Sequence, residues 1–226
     1  MSSTSTPVDA ALHAYVEAHT RGDDAFLVEL RAAARAARLP DIAIAAAQAS
    51  AMQILLQLAG ARRVVEVGTL GGYSAIQMAR ALPADGELVT IELEPKHAAF
   101  AREWIARSDV AARVRVVEGS GRDVLPTLPT AWADACFLDA DKAGYSEYLC
   151  ECLRIVRPGG LVMADNAFAF GELLNAHAAD GGVAAIRAFN ELVPRIRNLH
   201  AVIAPFGDGL WIGVIQGGAA QGCAPS

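Results

Sequence analysis

No basic patch interrupts this sequence. Its 19 lysines and arginines are outnumbered by 25 aspartates and glutamates, giving a formal charge of −6, and its densest basic spot is the pair Arg62–Arg63. A nucleic-acid backbone is held by concentrated positive charge, so a polyanion is not the expected partner. Cysteine is scarce: Cys136, Cys150, Cys152 and Cys223, with no C-x-x-C pair. Cys150 and Cys152 would point about 200° apart on a helix, and the reading is of reduced, mostly packed thiols. No apolar run reaches the length of a membrane span. The opening "MSSTSTPVDA" has neither the basic start nor the apolar core of a signal peptide, so the expectation is a cytoplasmic protein.

What the chain does have is apolar material, 54% of 226 residues against 19% charged. That suits one ample α/β domain. The expected organisation is a disordered start over 1–7, a domain over 8–216 and a flexible tail over 217–226. Within the domain, three helices over 8–19, 23–37 and 41–59 precede a Rossmann-like core from residue 60. Short β-branched runs at 63–67, 87–92, 113–119, 133–139 and 159–165 alternate with helical stretches. Near-continuous apolar strands separated by helices predict a doubly wound, mostly parallel sheet covered on both faces. After a helix near 181–193, "RIRNLHAVIAP" and "GLWIGVIQ" flank the short turn "PFGDG". They predict an antiparallel pair at one sheet edge.

The polar residues gather where such sheets bind ligands, beyond the carboxyl ends of the strands. Glu66 and Gly68 follow the first run and Glu92 the second. Asp139, Asp141 and Lys142 follow the fourth, and Asp165 with Asn166 the fifth. "EVGTLGGYS" is a glycine-rich strand-to-helix turn, yet it lacks the second glycine of G-x-G-x-x-G, where a backbone approaches a pyrophosphate. With Glu66 beside it, a cationic nucleoside fits better than a phosphorylated one. A tight turn with a strand-end glutamate explains the same residues about as well. Glu92 is placed to accept hydrogen bonds from ribose hydroxyls, and "EGSGRD" could hold an adenine ring or simply start a helix. Asp139, Asp165 and Asn166 offer the hard oxygen donors that Mg²⁺, Mn²⁺ or Ca²⁺ prefers. Each motif alone is more often a cap, but the two on neighbouring strand ends, beside Lys142, favour a metal.

The ordered set "VVEVGTLGGYSA", "TIELEP", "FLDADKAGY", "RPGGLVMADN" and "PFGDGL", covering roughly residues 40 to 216, resembles the cation-dependent class I S-adenosylmethionine O-methyltransferases. That family includes the catechol and caffeoyl-CoA enzymes. The resemblance implies the seven-stranded class I methyltransferase fold with extra N-terminal helices that help form a lid and a homodimer contact. It implies Asp139, Asp165 and Asn166 as metal ligands and Lys142 as the base for a substrate hydroxyl. It places Glu66, Gly68, Tyr73 and Ser74 around the methionine part of S-adenosylmethionine, Glu92 on its ribose, and Ser120, Gly121 and Arg122 around its adenine. Asp139 also falls near the cofactor's amino end. The implied substrate is a small aromatic vicinal diol.

One stretch departs from the pattern. Where many relatives continue "DN" with Leu-Trp-Ser-Gly, this chain has "AFAFGELL", with Ala169 at the tryptophan position. Residues 167–180 then read as a mobile flap, with a pocket that is either wider or relies on Phe168 and Phe170 for stacking. The five histidines are scattered, and only His177 falls in this segment; Trp104, Trp132 and Trp211 read as structural. Two other functions share the sheet: a nucleotide-dependent oxidoreductase, disfavoured by the missing glycine, and a non-catalytic cofactor-binding module, which would not need Lys142 and the three oxygen donors.

Overall fold

The computed structural model describes residues 6–217. The expected disorder over 1–5 and the tail from 218 lie outside the described residues; Thr6, Pro7 and Gly217 are exposed. Three helices come first: α1 (Ala10–His19), α2 (Ala25–Ala36) and α3 (Ala46–Leu58). Asp9 and Asp24 cap the first two by accepting from the N–H of Leu12 and Leu27, the usual remedy for orphan donors at a helix start. The third helix begins five residues later than expected. Ala45 offers it no side-chain cap, and Glu17 of α1 accepts from the Ala47 N–H instead, at 3.3 Å.

From residue 63 the chain alternates: β1 (Arg63–Val67), α4 (Tyr73–Arg80), β2 (Glu87–Glu92), α5 (Pro95–Arg107), β3 (Val114–Glu118) and α6 (Gly121–Val124). Next come β4 (Ala133–Leu138), α7 (Tyr145–Ile155), β5 (Val156–Ala164), α8 (Gly181–Leu192), β6 (Leu199–Ala204) and β7 (Leu210–Ile215). The seven strands form one sheet in the order β3-β2-β1-β4-β5-β7-β6. β7 runs antiparallel between β5 and β6, so the predicted antiparallel pair exists, with its second strand inserted. β5 also starts three residues before the expected 159.

Alternation along each central strand sorts the core into two layers. Val65, Val67, Cys136, Leu138, Val162 and Ala164 face α7 and α8. Val64, Ala135, Phe137, Leu161 and Met163 face α2 to α5. This two-sided burial is why β1, β2 and β4 read as continuous apolar runs. Cys136 and Cys152 are both fully buried as expected, but the reading of reduced thiols is corrected. The sulfurs are paired across the β4–α7 packing, with Cα atoms 6.1 Å apart, a spacing that a disulfide bridges. Among the described residues no helix is long and apolar enough to cross a membrane.

Register does the rest. Val67 pairs with Ile91 and Leu138, and Leu138 with Ala164, so Gly68, Glu92, Asp139 and Asp165 emerge along one rim. Gly68 stands where β1 and β4 approach most closely. Its φ is +98°, a region that L-residues avoid, and a Cβ there would lie 1.9 Å from the Asp139 carbonyl oxygen. Because that oxygen is backbone, no side-chain rotation relieves the clash. Gly68→Ala is expected to cost more than about 3 kcal/mol. Urea denaturation checks it: a loss under about 1 kcal/mol would contradict the close approach.

Candidate functional site

A cavity of about 450 Å³ opens on the carboxyl rim of the sheet. Its floor is the turn from β1 to α4, its far wall is the β4 end, and the segment 40–44 with α2 closes it from above. The late start of α3 leaves 41–45 extended, so this segment becomes wall instead of helix. Arg31 holds it there by donating to the Ile44 carbonyl at 2.7 Å. Arg31 also pairs with Asp23 at 2.7 Å and lies 3.8 Å over the ring of Tyr73, whose hydroxyl donates to Asp23 at 2.6 Å.

Of the predicted site residues, Gly68, Tyr73, Ser74, Glu92, Ser120, Gly121, Asp139, Lys142 and Asn166 line the cavity. Glu92 is nearly buried and grips the glycine turn. It accepts from the N–H groups of Thr69 (3.0 Å) and Leu70 (2.7 Å), and from that of Glu94 (2.9 Å). Leu70 needs this hold, because its φ is +48° without being glycine. Gly121 leaves room for Tyr148, whose ring carbon would sit 2.8 Å from a Cβ. Ser120 is both cavity wall and helix cap, accepting from the Asp123 N–H.

Three residues stand elsewhere. Arg122 is corrected: its exposed side chain turns to Glu147 of α7 at 2.6 Å and lies off the cavity. Glu66 lies beneath the floor, fully buried, and reaches the cavity through Ser74 and, by way of Thr90, through Thr69. Asp165 is buried behind the wall, where Gln48 of α3 donates to its Oδ1 at 2.8 Å.

Beside the cavity the charged groups crowd. Lys142 Nζ, one of the chain's two lysines, lies 3.2 Å from Asp139 Oδ1 and donates to the Tyr145 hydroxyl at 2.8 Å. That hydroxyl donates in turn to the Leu138 carbonyl at 3.1 Å. Burial raises the Asp139 carboxyl above its ordinary range, with Lys142 opposing. Burial, and then the charge of Asp139, push Asp165 up to about 7. A contrast lies at the opposite end of the same strands. Burial alone would raise Asp134, but Arg157 and the N–H groups of Arg62 and Arg63 outweigh it and hold that carboxyl below its usual value. One end of the sheet carries a carboxylate whose burial is fully offset; the other carries two whose burial is not, a pattern that functional sites share with structural ion pairs. Among the described residues no three His, Cys, Asp or Glu side chains group to hold a metal. The donors side by side are two carboxylates and the amide of Asn166.

Sequence reasoning missed several lining residues. His97 lies 3.6 Å from Glu92, and Tyr148 donates to Asp141 at 2.6 Å. His97 falls on the first turn of α5, directly after the Glu92 strand end, and that position was the available signal. His177 is exposed and lines nothing. Ala169 is fully buried, and Phe170, 57% exposed, faces the cavity with its ring 5.9 Å from Lys142 Nζ. Phe168 packs under Gly209 instead. The segment 167–180 is held at several points: Asn190 donates to the Ala167 carbonyl, and Arg187 to those of Glu172, Leu173 and Asn175.

A doubly wound sheet with this strand order and a rim cavity defines a class I methyltransferase architecture. Residues 17–214 match the O-methyltransferase family. The chain is 41% identical to a catechol O-methyltransferase of Niastella koreensis over 174 residues, 76% of this chain and 78% of that one. It superimposes on a Streptomyces achromogenes O-methyltransferase of tomaymycin synthesis, solved with S-adenosylmethionine, with a TM-score of 0.82 at 35% identity. That match covers 92% of this chain and 96% of that one. A Bacillus cereus O-methyltransferase solved with S-adenosylhomocysteine gives 0.82 at 34% identity, over 91% and 97%. The chain belongs to the S-adenosylmethionine-dependent O-methyltransferases.

Glu66 tests the electrostatics of the floor. Burial pushes its carboxyl up to about 8, although Ser74 at 2.5 Å and Thr90 at 2.6 Å hydrogen-bond to it. Its folded value lies above its unfolded one, 4.5, so between these the unfolded chain binds fewer protons and stability falls as pH rises. The slope from this one group is at most about 1.4 kcal/mol per pH unit. Glu66→Gln removes it while keeping two hydrogen-bonding atoms. Melting profiles from pH 5 to 8 should show the variant gaining on the parent as pH rises; a constant difference would place the carboxylate in a solvated site.

Proposed function

We propose that this enzyme transfers the methyl group of S-adenosylmethionine to one hydroxyl of a small aromatic vicinal diol, with a divalent cation bound beside the cavity. The observation that carries this reading is the pair Asp139 and Asp165 on adjacent strand ends, with Asn166 following and Lys142 reaching over them. The donor set fits the group: hard oxygens suit Mg²⁺, Mn²⁺ or Ca²⁺, and two crowded carboxylates with one ammonium leave negative charge for a cation to neutralise. The catechol O-methyltransferase name of the Niastella koreensis relative supports the acceptor class.

Asp139, Asp165 and Asn166 would hold the ion. When bound, it supplies charge neutralisation and a lowered pKa for the diol hydroxyl it touches. S-adenosylmethionine supplies a methyl on a sulfonium. Glu92 retains about one lone pair for a ribose hydroxyl beyond the three spent on backbone N–H groups, while Ser120 and Gly121 border the adenine and Tyr73, Ser74 and Gly68 the methionine end. Lys142, once its ammonium has released a proton to solvent, takes the hydroxyl proton at Nζ as the neutral amine. Tyr145 anchors that nitrogen from below, since its own proton goes to Leu138 and its oxygen is left to accept. Phe170 offers a ring face to the aromatic acceptor. Most of the remaining work is orientation of the oxygen in line with the methyl.

Assays with a catechol panel, with chelator and with added Mg²⁺, test this. Chelation should abolish turnover and Mg²⁺ restore it. Lys142→Ala should lose about 10²–10⁴ in rate yet keep its metal affinity, whereas Asp139→Ala should lose both together. Full activity in chelator, or a Lys142→Ala enzyme as fast as the parent, would overturn the reading.

A further inference from the structure

The turn between β6 and β7, residues 205–209, does not itself line the cavity, yet two of its residues meet Asn166 and Gln48. Asp208 Oδ2 accepts from Asn166 Nδ2 at 3.1 Å and from the Phe170 N–H at 2.8 Å. A carboxylate can only accept, so Asn166 must present its nitrogen to Asp208. Its oxygen, the one atom of an amide that coordinates a hard cation, is thereby turned to the other side. Asn166 has a φ of +62°, and this contact helps fix a side chain whose backbone is already in a rare conformation.

Gly207 serves the second ligand. Gln48 of α3 is buried to 1% exposure and spends its Nε2 on Asp165 Oδ1. Its Oε1 faces Gly207, where a Cβ would stand 2.3 Å away. Only a residue without a side chain leaves room for that oxygen, and an amide buried without a partner is costly, so Gln48 lies between Asp165 and the turn. The same turn thus meets Asn166 directly and Asp165 through Gln48.

Resting on the metal reading above, we propose that Gln48 and Asp208 are positioning residues that orient Asp165 and Asn166 for the divalent cation. Neither touches the ion. They fix which oxygen of each ligand is offered, as outer partners of metal ligands do elsewhere. One of them comes from an N-terminal helix, which ties α3 to the chemistry as well as to the core.

The test measures Mn²⁺ affinity by electron paramagnetic resonance and calorimetry in the parent, Gln48→Met and Asp208→Leu. Each affinity is referred to the fraction of protein that binds S-adenosylhomocysteine, so a partly unfolded sample still reports on the site. Gln48→Met, which removes the donor to Asp165, and Asp208→Leu, which removes the acceptor for Asn166, should each weaken Mn²⁺ binding about 10- to 100-fold, with S-adenosylhomocysteine affinity within about threefold of the parent. If the parent binds Mn²⁺ and the variants bind it as tightly, Gln48 and Asp208 only pack, and the proposal fails alone. A parent that binds no Mn²⁺ overturns the metal reading and the proposal with it.

Discussion

Two carboxylates side by side, Asp165 buried and Asp139 partly so, answered by one ammonium group, set the terms for the rest of this molecule. Parallel register leaves no choice: once Leu138 pairs with Ala164, the next residue of each strand, Asp139 and Asp165, must emerge together. Taking such charges out of water costs several kcal/mol per ion unless hydrogen bonds and counter-charge offset it. The surroundings are arranged accordingly. Lys142 pairs with Asp139, Tyr145 holds Lys142, and Gln48 donates to Asp165. Burial still raises both carboxyls, because Lys142 and Gln48 offset it only in part, whereas Asp134 at the other sheet end is held down by Arg157 and two backbone N–H groups.

The glycine turn carries the second constraint. Gly68 lets the β1 end lie against the Asp139 carbonyl, and Glu92 pins the turn through the N–H groups of Thr69 and Leu70. Together they bring the rim of β2 and the rim of β4 onto one cavity. Arg31 then closes the top by binding Ile44. The N-terminal helices are therefore part of the site as well as of the core: α2 supplies the latch and α3 supplies Gln48.

Much of this was legible because it is local. Apolar runs of five or six residues that end in a carboxylate announced the strands and their rim, and "GTLGG" announced the turn. What escaped was decided by tertiary contact. The alanine-rich 41–45 segment has good helix propensity, but Arg31 claims the Ile44 carbonyl and the residues become cavity wall. The pairing of Cys136 with Cys152 joins a strand to a helix, and no spacing rule encodes it. Glu66 was partly readable: it shares parity with Val64, so alternation alone sends it toward α4 and beneath the floor. Arg122 was placed by sequence neighbourhood, and Glu147 on α7 drew it away. In the stretch after Asn166, Ala169 is buried, and Phe170 is the aromatic that lines the cavity.

The central claim is that the imbalance at the β4 and β5 ends is a cation site. A crystal structure with Mn²⁺ and S-adenosylhomocysteine, read by anomalous scattering at the manganese edge, tests it most directly. The account predicts a single strong peak bounded by Asp139, Asp165 and the side-chain oxygen of Asn166. S-adenosylhomocysteine bound in the cavity, with no manganese at those three residues under saturating Mn²⁺, would contradict it.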